Sequence, residues 1–427
     1  MAGFACASPK PTPTPAPAQP KPEPVPAKPP AGAQPPEPVR APAESTARAA
    51  RHSRTPVRLA LVGDINLGTM TIPGGVPPDS ARTLLQEAKP YLTGDLVIGN
   101  FEGVLADSGE TEKCGKRKSV KWTEAVANPA VDDSIQAAQA RRTADSLAAL
   151  RRHAARRHAK TTPNPEPVRC YAFLTPAWLA PRLKEAGFTH LNLANNHAND
   201  FGIDGRQSTE ATLAAVGLRT YGPLGRIVID TVRRGEAMTT VGVIGFSTYP
   251  FAYDLLDVPR SVAVVDSIRP LVDLLVVTFH GGAEGSAAQH VPFAAESLGH
   301  EPRGDLRAWA HAVVDAGADL VVGHGPHVLR GVELWQKRLI AYSLGNFANY
   351  RGFNLAGPQG LTGVLQVEFA ADGSMTGAKL APMRQLPTKG PAPDSTGAAA
   401  DLVRSLSQDD FGAAAPRVED DGTIRDH

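Results

Sequence analysis

The stretch Ala318–Asn349, ADLVVGHGPHVLRGVELWQKRLIAYSLGNFAN, decides how this chain folds. Two apolar runs inside it, Leu320-Val321-Val322 and Leu339-Ile340-Ala341-Tyr342, are short, bounded by turn residues and rich in β-formers, which is the pattern of buried strands. Each run opens into chemistry. Gly323-His324-Gly325-Pro326-His327 follows the first and Ser343-Leu344-Gly345-Asn346-Phe347 the second. Small residues and metal-type donors therefore stand at the carboxyl ends of strands, where open α/β sheets place their sites. Two histidines beside Gly and Pro also occur as plain caps of surface loops, so the choice falls to the rest of the chain.

The same strand-then-donor pattern recurs upstream. Val57–Val62 delivers Gly63-Asp64-Ile65-Asn66-Leu67-Gly68, and Asp95-Leu96-Val97-Ile98 leads into Gly99-Asn100-Phe101-Glu102-Gly103. A lone Gly-Asp is more often a capped turn than a ligand. A helical stretch, Pro176–Ala186, stops at Gly187 and feeds a strand, Thr189–Leu193, which opens into Ala194-Asn195-Asn196-His197-Ala198-Asn199-Asp200. Three polar residues in a row at a buried strand end are hard to explain as packing. Each needs a partner, because an unpaired buried polar group costs about 1–3 kcal/mol. Thr240–Phe246 ends in Ser247 and Thr248, and Leu274–Phe279 ends in His280-Gly281-Gly282-Ala283-Glu284. Glu284 reads either as an acid behind a His280 ligand or as a solvated charge. A helix from Asp305 to Ala316 leads back to the opening stretch. Thr362–Phe369 alternates like a sheet edge, and the Gly, Pro, Ala and Asp content beyond Leu386 predicts a disordered tail over 389–427.

Across its 427 residues the chain is 42% hydrophobic and 20% charged, with a net charge of +1. The near-neutral balance argues against a nucleic-acid partner, and no apolar run of about 18 residues marks a spanning helix. Residues 1–55 read as a Pro/Ala-rich tether with almost no bulky apolar side chain, semi-extended because it cannot bury enough surface to offset its ordering. Gly3-Phe4-Ala5-Cys6 before it is similar to the end of a bacterial lipoprotein signal, which would make Cys6 a lipid anchor and the protein's one contact with a membrane. Over about 108–168 lies an insertion, Ala-rich and basic toward its end, with Arg141, Arg142, Arg151, Arg152, Arg156, Arg157 and Lys160. It reads as a solvated helix or as a cationic helix that meets an anionic polymer or membrane surface.

Taken in order, Gly-Asp, Asn-Phe-Glu-Gly, Ala-Asn-Asn-His with Asp200, His280 with Glu284, Gly-His-Gly-Pro-His-Val and Tyr-Ser-Leu-Gly-Asn-Phe resemble the bacterial capsule-synthesis proteins of the CapA, or poly-γ-glutamate biosynthesis, type. The resemblance covers about residues 57–386. It implies an α/β fold of the calcineurin-like metallophosphoesterase kind, two facing β-sheets flanked by helices in an α/β/β/α sandwich, occupying 56–388. It further implies Asp64, Glu102, Asn196, His280, His324 and His327 as ligands of one or two divalent ions, with His197 beside them as general acid. Mixed carboxylate, amide and imidazole donors suit Mn, Fe or Zn. Two positions depart from the pattern. Asn66 stands where metallophosphoesterases carry a histidine, and Gly325-Pro326-His327 stands where many relatives read His-Pro-His.

Members of the family have cysteines in places comparable to Cys114 and Cys170, which implies a disulfide closing off the basic segment and a protein that works at the cell surface, outside the cytoplasm. Two functions of different class follow. One is a metal-dependent hydrolase acting on a phosphoester in a cell-envelope substrate. The other is a non-catalytic binding, assembly or export component for an anionic capsule polymer such as poly-γ-glutamate.

Overall fold

The computed structural model describes residues 53–115, 117–122 and 170–426. Alternation along the strands sets the layers. In β1 (Val57–Asn66), Leu59 and Leu61 face one way, and Ala60 and Val62 the other. The first pair joins Ile98 of β2 (Leu96–Phe101) in a core shared with the opposite sheet. The second pair packs outward onto Leu183 of α1 (Pro181–Ala186) and Leu213 of α2 (Gly202–Ala215). Such period-2 patterning buries both faces of a sheet at once.

The first sheet continues from β2 to β3 (His190–Asn192) and β4 (Arg219–Tyr221), all parallel. The second sheet is built on β6 (Ala237–Ser247), with β5 (Val228–Arg234) antiparallel to it and β7 (Tyr253–Asp254) parallel at its far end. From β6 the sheet runs through parallel β8 (Leu274–His280), β9 (Leu320–His324) and β11 (Arg338–Ala341), and closes with antiparallel β10 (Val332–Trp335). Its inner face contributes Val241, Val243, Val276, Leu320 and Val322 to the shared core. Its outer face packs Ile244, Val277 and Val321 against α3 (Val258–Ile268) and α4 (Leu306–Asp315). Asp257 and Asp305 cap these two helices, each accepting from the backbone N–H three residues on at 3.0 Å. Trp309 locks α4 to the sheet through edge contacts with Phe246 and Phe279, both at 5.2 Å, and an indole bond to Ser261 at 3.0 Å. The layers are helix, sheet, sheet, helix, the expected α/β/β/α sandwich. Among the described residues no helix is long and apolar enough to cross a membrane.

The remaining strands belong to the first sheet: β12 (Asn346–Asn349), β13 (Leu361–Phe369), β14 (Met375–Leu386), β15 (Gly390–Pro393), β16 (Arg417–Val418) and β17 (Thr423–Arg425). Three expectations are corrected here. β13 is an interior strand, antiparallel to β1 on one side and to β14 on the other, so its alternation marks two buried faces rather than an edge. Residues 389–426 are ordered: β15 and β17 pair with β14, and α5 (Ala398–Phe411) buries Val403, Leu406 and Phe411. The composition of that segment hid apolar residues at helical spacing. Finally, 108–122 is in part a hairpin, Ser108–Thr111 against Lys118–Lys121, and the order begins before residue 56, with Thr55 buried and bonded to Thr239. The basic run Arg141–Lys160 and Cys6 lie outside the described residues.

Phe411 is buried against the Tyr342 ring at 5.1 Å, so Phe411→Ala is expected to cost about 3 kcal/mol by chemical denaturation. A loss below about 0.5 kcal/mol would show that α5 is not part of the cooperative unit.

Candidate metal centre

Both sheets aim the carboxyl ends of their parallel strands at one place. Ser247, His280 and His324 are aligned across β6, β8 and β9, and Asn100, Asp64 and Asn346 across β2, β1 and β12. A register shift after Leu61 turns Asp64 inward. At that point β1 exchanges its antiparallel partner β13 for the parallel β12. Gly63 makes this exchange feasible, because a Cβ there would lie 1.8 Å from the Gly345 carbonyl oxygen.

Asp64, Glu102 and His327 each offer a donor atom, all within 4.8 Å of one another, and the two acids are fully buried. His327 Nδ1 lies 3.0 Å from Asp64 Oδ2, and its Nε2 lies 3.6 Å from Glu102 Oε1. The backbone at His327 is left-handed, φ 58°, directly after Gly325 and Pro326. A non-glycine residue there costs about 1–3 kcal/mol, and such strain gathers at functional sites. His324 Nδ1 approaches Asp64 Oδ1 at 3.6 Å. His280, beside it in register, is fully buried with both ring nitrogens free of hydrogen bonds, as are those of His324 and both Glu102 oxygens. The Asn196 amide oxygen is likewise buried without a bond.

So many orphaned donors at one spot is not how a protein closes a polar core. A divalent ion held by Asp64, Glu102, His280, His324 and His327, with the Asn196 amide in reserve, would satisfy them, and the donor types fit.

Charge tells the same story. Burial pushes Glu102 well above the usual carboxylate range, although His327 opposes it. Burial also raises Asp64, but the His327 bond and charge outweigh it and hold Asp64 low. Burial would depress His327, yet Glu102, Asp64 and Glu284 push it up to about 10. Burial holds His324 at about 4 and His280 well below its ordinary value. The acids on either side thus favour the protonated form of His327.

The surrounding polar groups aim the donors. Asn100 Nδ2 donates to Asp64 Oδ1 at 2.9 Å, and its own oxygen accepts from Asn192 and Asn195, each at 3.0 Å. Asn195 Oδ1 accepts from the His197 backbone at 3.1 Å. Asn195 is thus spent on structure. Asn66 is too: its amide nitrogen donates to the Glu102 carbonyl at 2.8 Å and its oxygen accepts from Gly68 at 3.0 Å. His197 stands at the rim, Nε2 3.9 Å from Glu102 Oε1, with Nδ1 2.7 Å from Asp200 Oδ2. Burial lowers the His197 pKa against the pull of Asp200.

Glu284 was left open by the sequence, and the structure brings its Oε2 to 3.9 Å from His327 Nε2. Its other oxygen binds the fully buried Arg303 at 2.8 Å, whose remaining nitrogens reach Gly282 O, Tyr249 and Glu301. A buried bidentate pair, Arg330 with Glu296 at 2.8 and 2.6 Å, joins this loop to the one carrying His327. Asp200 and Lys113, which hold His197, were not anticipated as site residues; the three-residue spacing from His197 to Asp200 was the readable signal. The structure also joins Cys114 to Cys170, Cα to Cα 5.5 Å.

His327 must shed its proton to ligate, so affinity for Mn or Zn should strengthen as pH rises from about 6 to about 9, with proton release on binding. Titration calorimetry in two buffers of different ionisation enthalpy reads both. Affinity independent of pH, with no proton release, would contradict the ligand set.

Comparison with known proteins agrees with the sequence reading. Residues 156–351 match the family described as bacterial capsule synthesis protein. The capsule biosynthesis protein CapA of Bacillus anthracis is 33% identical over 40% of this chain and 42% of its own length. The PGA biosynthesis protein CapA of Bacillus subtilis (strain 168) is 31% identical over 40% and 45%. The match thus spans less than half of each of these relatives. Among solved structures, a 5'-nucleotidase precursor from Thermus thermophilus superposes with a TM-score of 0.33 at 14% identity over 83% of this chain and 59% of that one. Likeness at that level has no bearing on substrate. Over residues 156–351 this chain thus resembles the bacterial capsule synthesis protein family, and its likeness to the two CapA proteins and its strand-end motifs point the same way.

Proposed function

We propose that this chain is a metal-dependent hydrolase of the phosphoesterase kind, acting on an anionic ester of the cell envelope. The observation that carries the proposal is the convergence of Asp64, Glu102, His280, His324 and His327 from separate strand ends, with the donor atoms of Glu102, His280 and His324 buried and without hydrogen bonds, and with His197 poised at the rim. A bound Mn, Fe or Zn ion, one or two in number, supplies Lewis acidity and activates water at neutral pH. The protein's own residues do the rest. Asp64 and Glu102 set the charge and Asn100 fixes the Asp64 oxygen. His197 Nε2 faces the centre, where the ring in its imidazolium form donates the Nε2 proton to the leaving oxygen and becomes neutral, and Asp200 holds the ring by accepting from Nδ1–H. The Phe173 ring packs against that of His197 at 4.4 Å.

The linked Cys114 and Cys170 support a working place outside the cytoplasm, at the cell surface, because such bonds persist in oxidising surroundings. A second reading is a binding or assembly component for an anionic capsule polymer. It rests on likeness to proteins named for capsule and PGA biosynthesis rather than on the site.

His197→Ala should leave metal content nearly unchanged and lower turnover of an alkyl phosphodiester by about 10²-fold or more, the usual worth of general acid catalysis. Asp64→Ala should remove both metal and turnover. A metal-loaded wild type that hydrolyses no phosphomonoester or phosphodiester, yet binds polyglutamate in a salt-sensitive way, would replace the hydrolase with the binding reading.

A further inference from the structure

His197 and Asp200 are held by two arms that do not belong to the metal-bearing strands. The first is the tip of the hairpin Ser108–Thr111/Lys118–Lys121. There the Lys113 ammonium contacts Asp200 Oδ1, donates to the Asn196 carbonyl at 2.9 Å, and stands 3.2 Å from His197 Nδ1. Thr111 Oγ1 donates to the Asp200 carbonyl at 2.5 Å. The second arm is Tyr171–Phe173. The Phe173 backbone N–H donates to Asp200 Oδ2 at 2.7 Å, and its ring lies against His197. The Asp200 side chain is fully buried, and among the described residues Lys113 is the cation that pairs with it.

The first arm is otherwise lightly anchored: its strands bury only Thr111, with Val120 half-buried against the core and Trp122 edge-on to Trp178 at 5.3 Å, and a two-stranded hairpin on its own is marginal in water. Cys114, next to Lys113, is bonded to Cys170, three residues before Phe173. The cross-link therefore fastens together the two arms that grip the His197–Asp200 pair.

We propose that Lys113 is a positioning residue for His197, and that the Cys114–Cys170 bond keeps it within reach. The cross-link then supports the proton-donating side of the site while leaving the metal-holding side, on the core strands, independent of it. This rests on the hydrolase reading above.

The test uses the full chain loaded with Mn or Zn, as wild type, Lys113→Met and the double variant Cys114→Ser/Cys170→Ser. Each is assayed on two phosphodiesters, one with an alkoxide leaving group that needs a proton and one with a nitrophenolate that departs without it. Both variants should lose about 10²-fold in kcat on the alkyl ester, keep kcat on the nitrophenyl ester within about threefold, and show unchanged KM and metal affinity. The retained nitrophenyl activity also shows that each variant folds. Equal losses on the two esters, or no loss on either, would overturn the proposal.

Should the wild type hydrolyse neither ester, the hydrolase reading falls. The positioning is then read from the His197 ring nitrogens by long-range proton–nitrogen NMR. A changed Nδ1 resonance in both variants upholds it, and an unchanged one overturns it.

Discussion

Gly63 and Gly345 let two backbones pass closer than any side chain would permit, with a Cβ on Gly63 only 1.8 Å from the Gly345 oxygen. Because of that contact β1 leaves β13, takes β12 as a parallel neighbour, and carries Asp64 to the junction of the two sheets. The Asp64 backbone N–H donates to the same Gly345 carbonyl at 2.9 Å. From there the centre assembles in order. Asn100 and His327 fasten the Asp64 carboxylate, His324 approaches its other side, and Glu102 enters from the end of β2. A bulkier residue at position 63 would separate the strands before any donor could reach another.

The energetic tension lies in what the site buries. Two acids with no exposure and two histidines without bonds would each cost several kcal/mol if left uncompensated. The rest of the molecule tolerates this because its layers are well packed and its loops are tied by full polar pairing, as in the Arg330–Glu296 and Arg303–Glu284 bonds. Those pairs fix the loops after β8 and β9. Breaking one partner would leave the other charged and buried, a loss larger than the net value of the pair.

Much of this was legible in the sequence because strands and ligands lie close along the chain. Gly-Asp, Asn-Asn-His and Gly-His-Gly-Pro-His each announce a strand end, and the sandwich follows from the apolar runs between them. What could not be read was which polar residues would be consumed internally. Asn66 and Asn195 look like Asn196, yet both are spent bonding backbone, while Asn196 keeps its oxygen free. That distinction depends on partners from distant segments. Lys113 reaches Asp200 across 87 residues, a contact no local pattern encodes. The C-terminal segment was hidden for another reason: its Ala and Asp content resembles a tail, while Val403, Leu406 and Phe411 are buried along its helix, Phe411 against the Tyr342 ring.

Diffraction from crystals grown with Mn or Zn, collected on either side of the metal's absorption edge, addresses the central claim directly. The account predicts an anomalous peak bounded by Asp64, Glu102 and His327, with donor atoms drawn in to about 2.0–2.2 Å and Glu102 no longer without a partner. Absence of any peak there, with His327 still bonded to Asp64 and Glu102 still unpartnered in metal-soaked crystals, would contradict it.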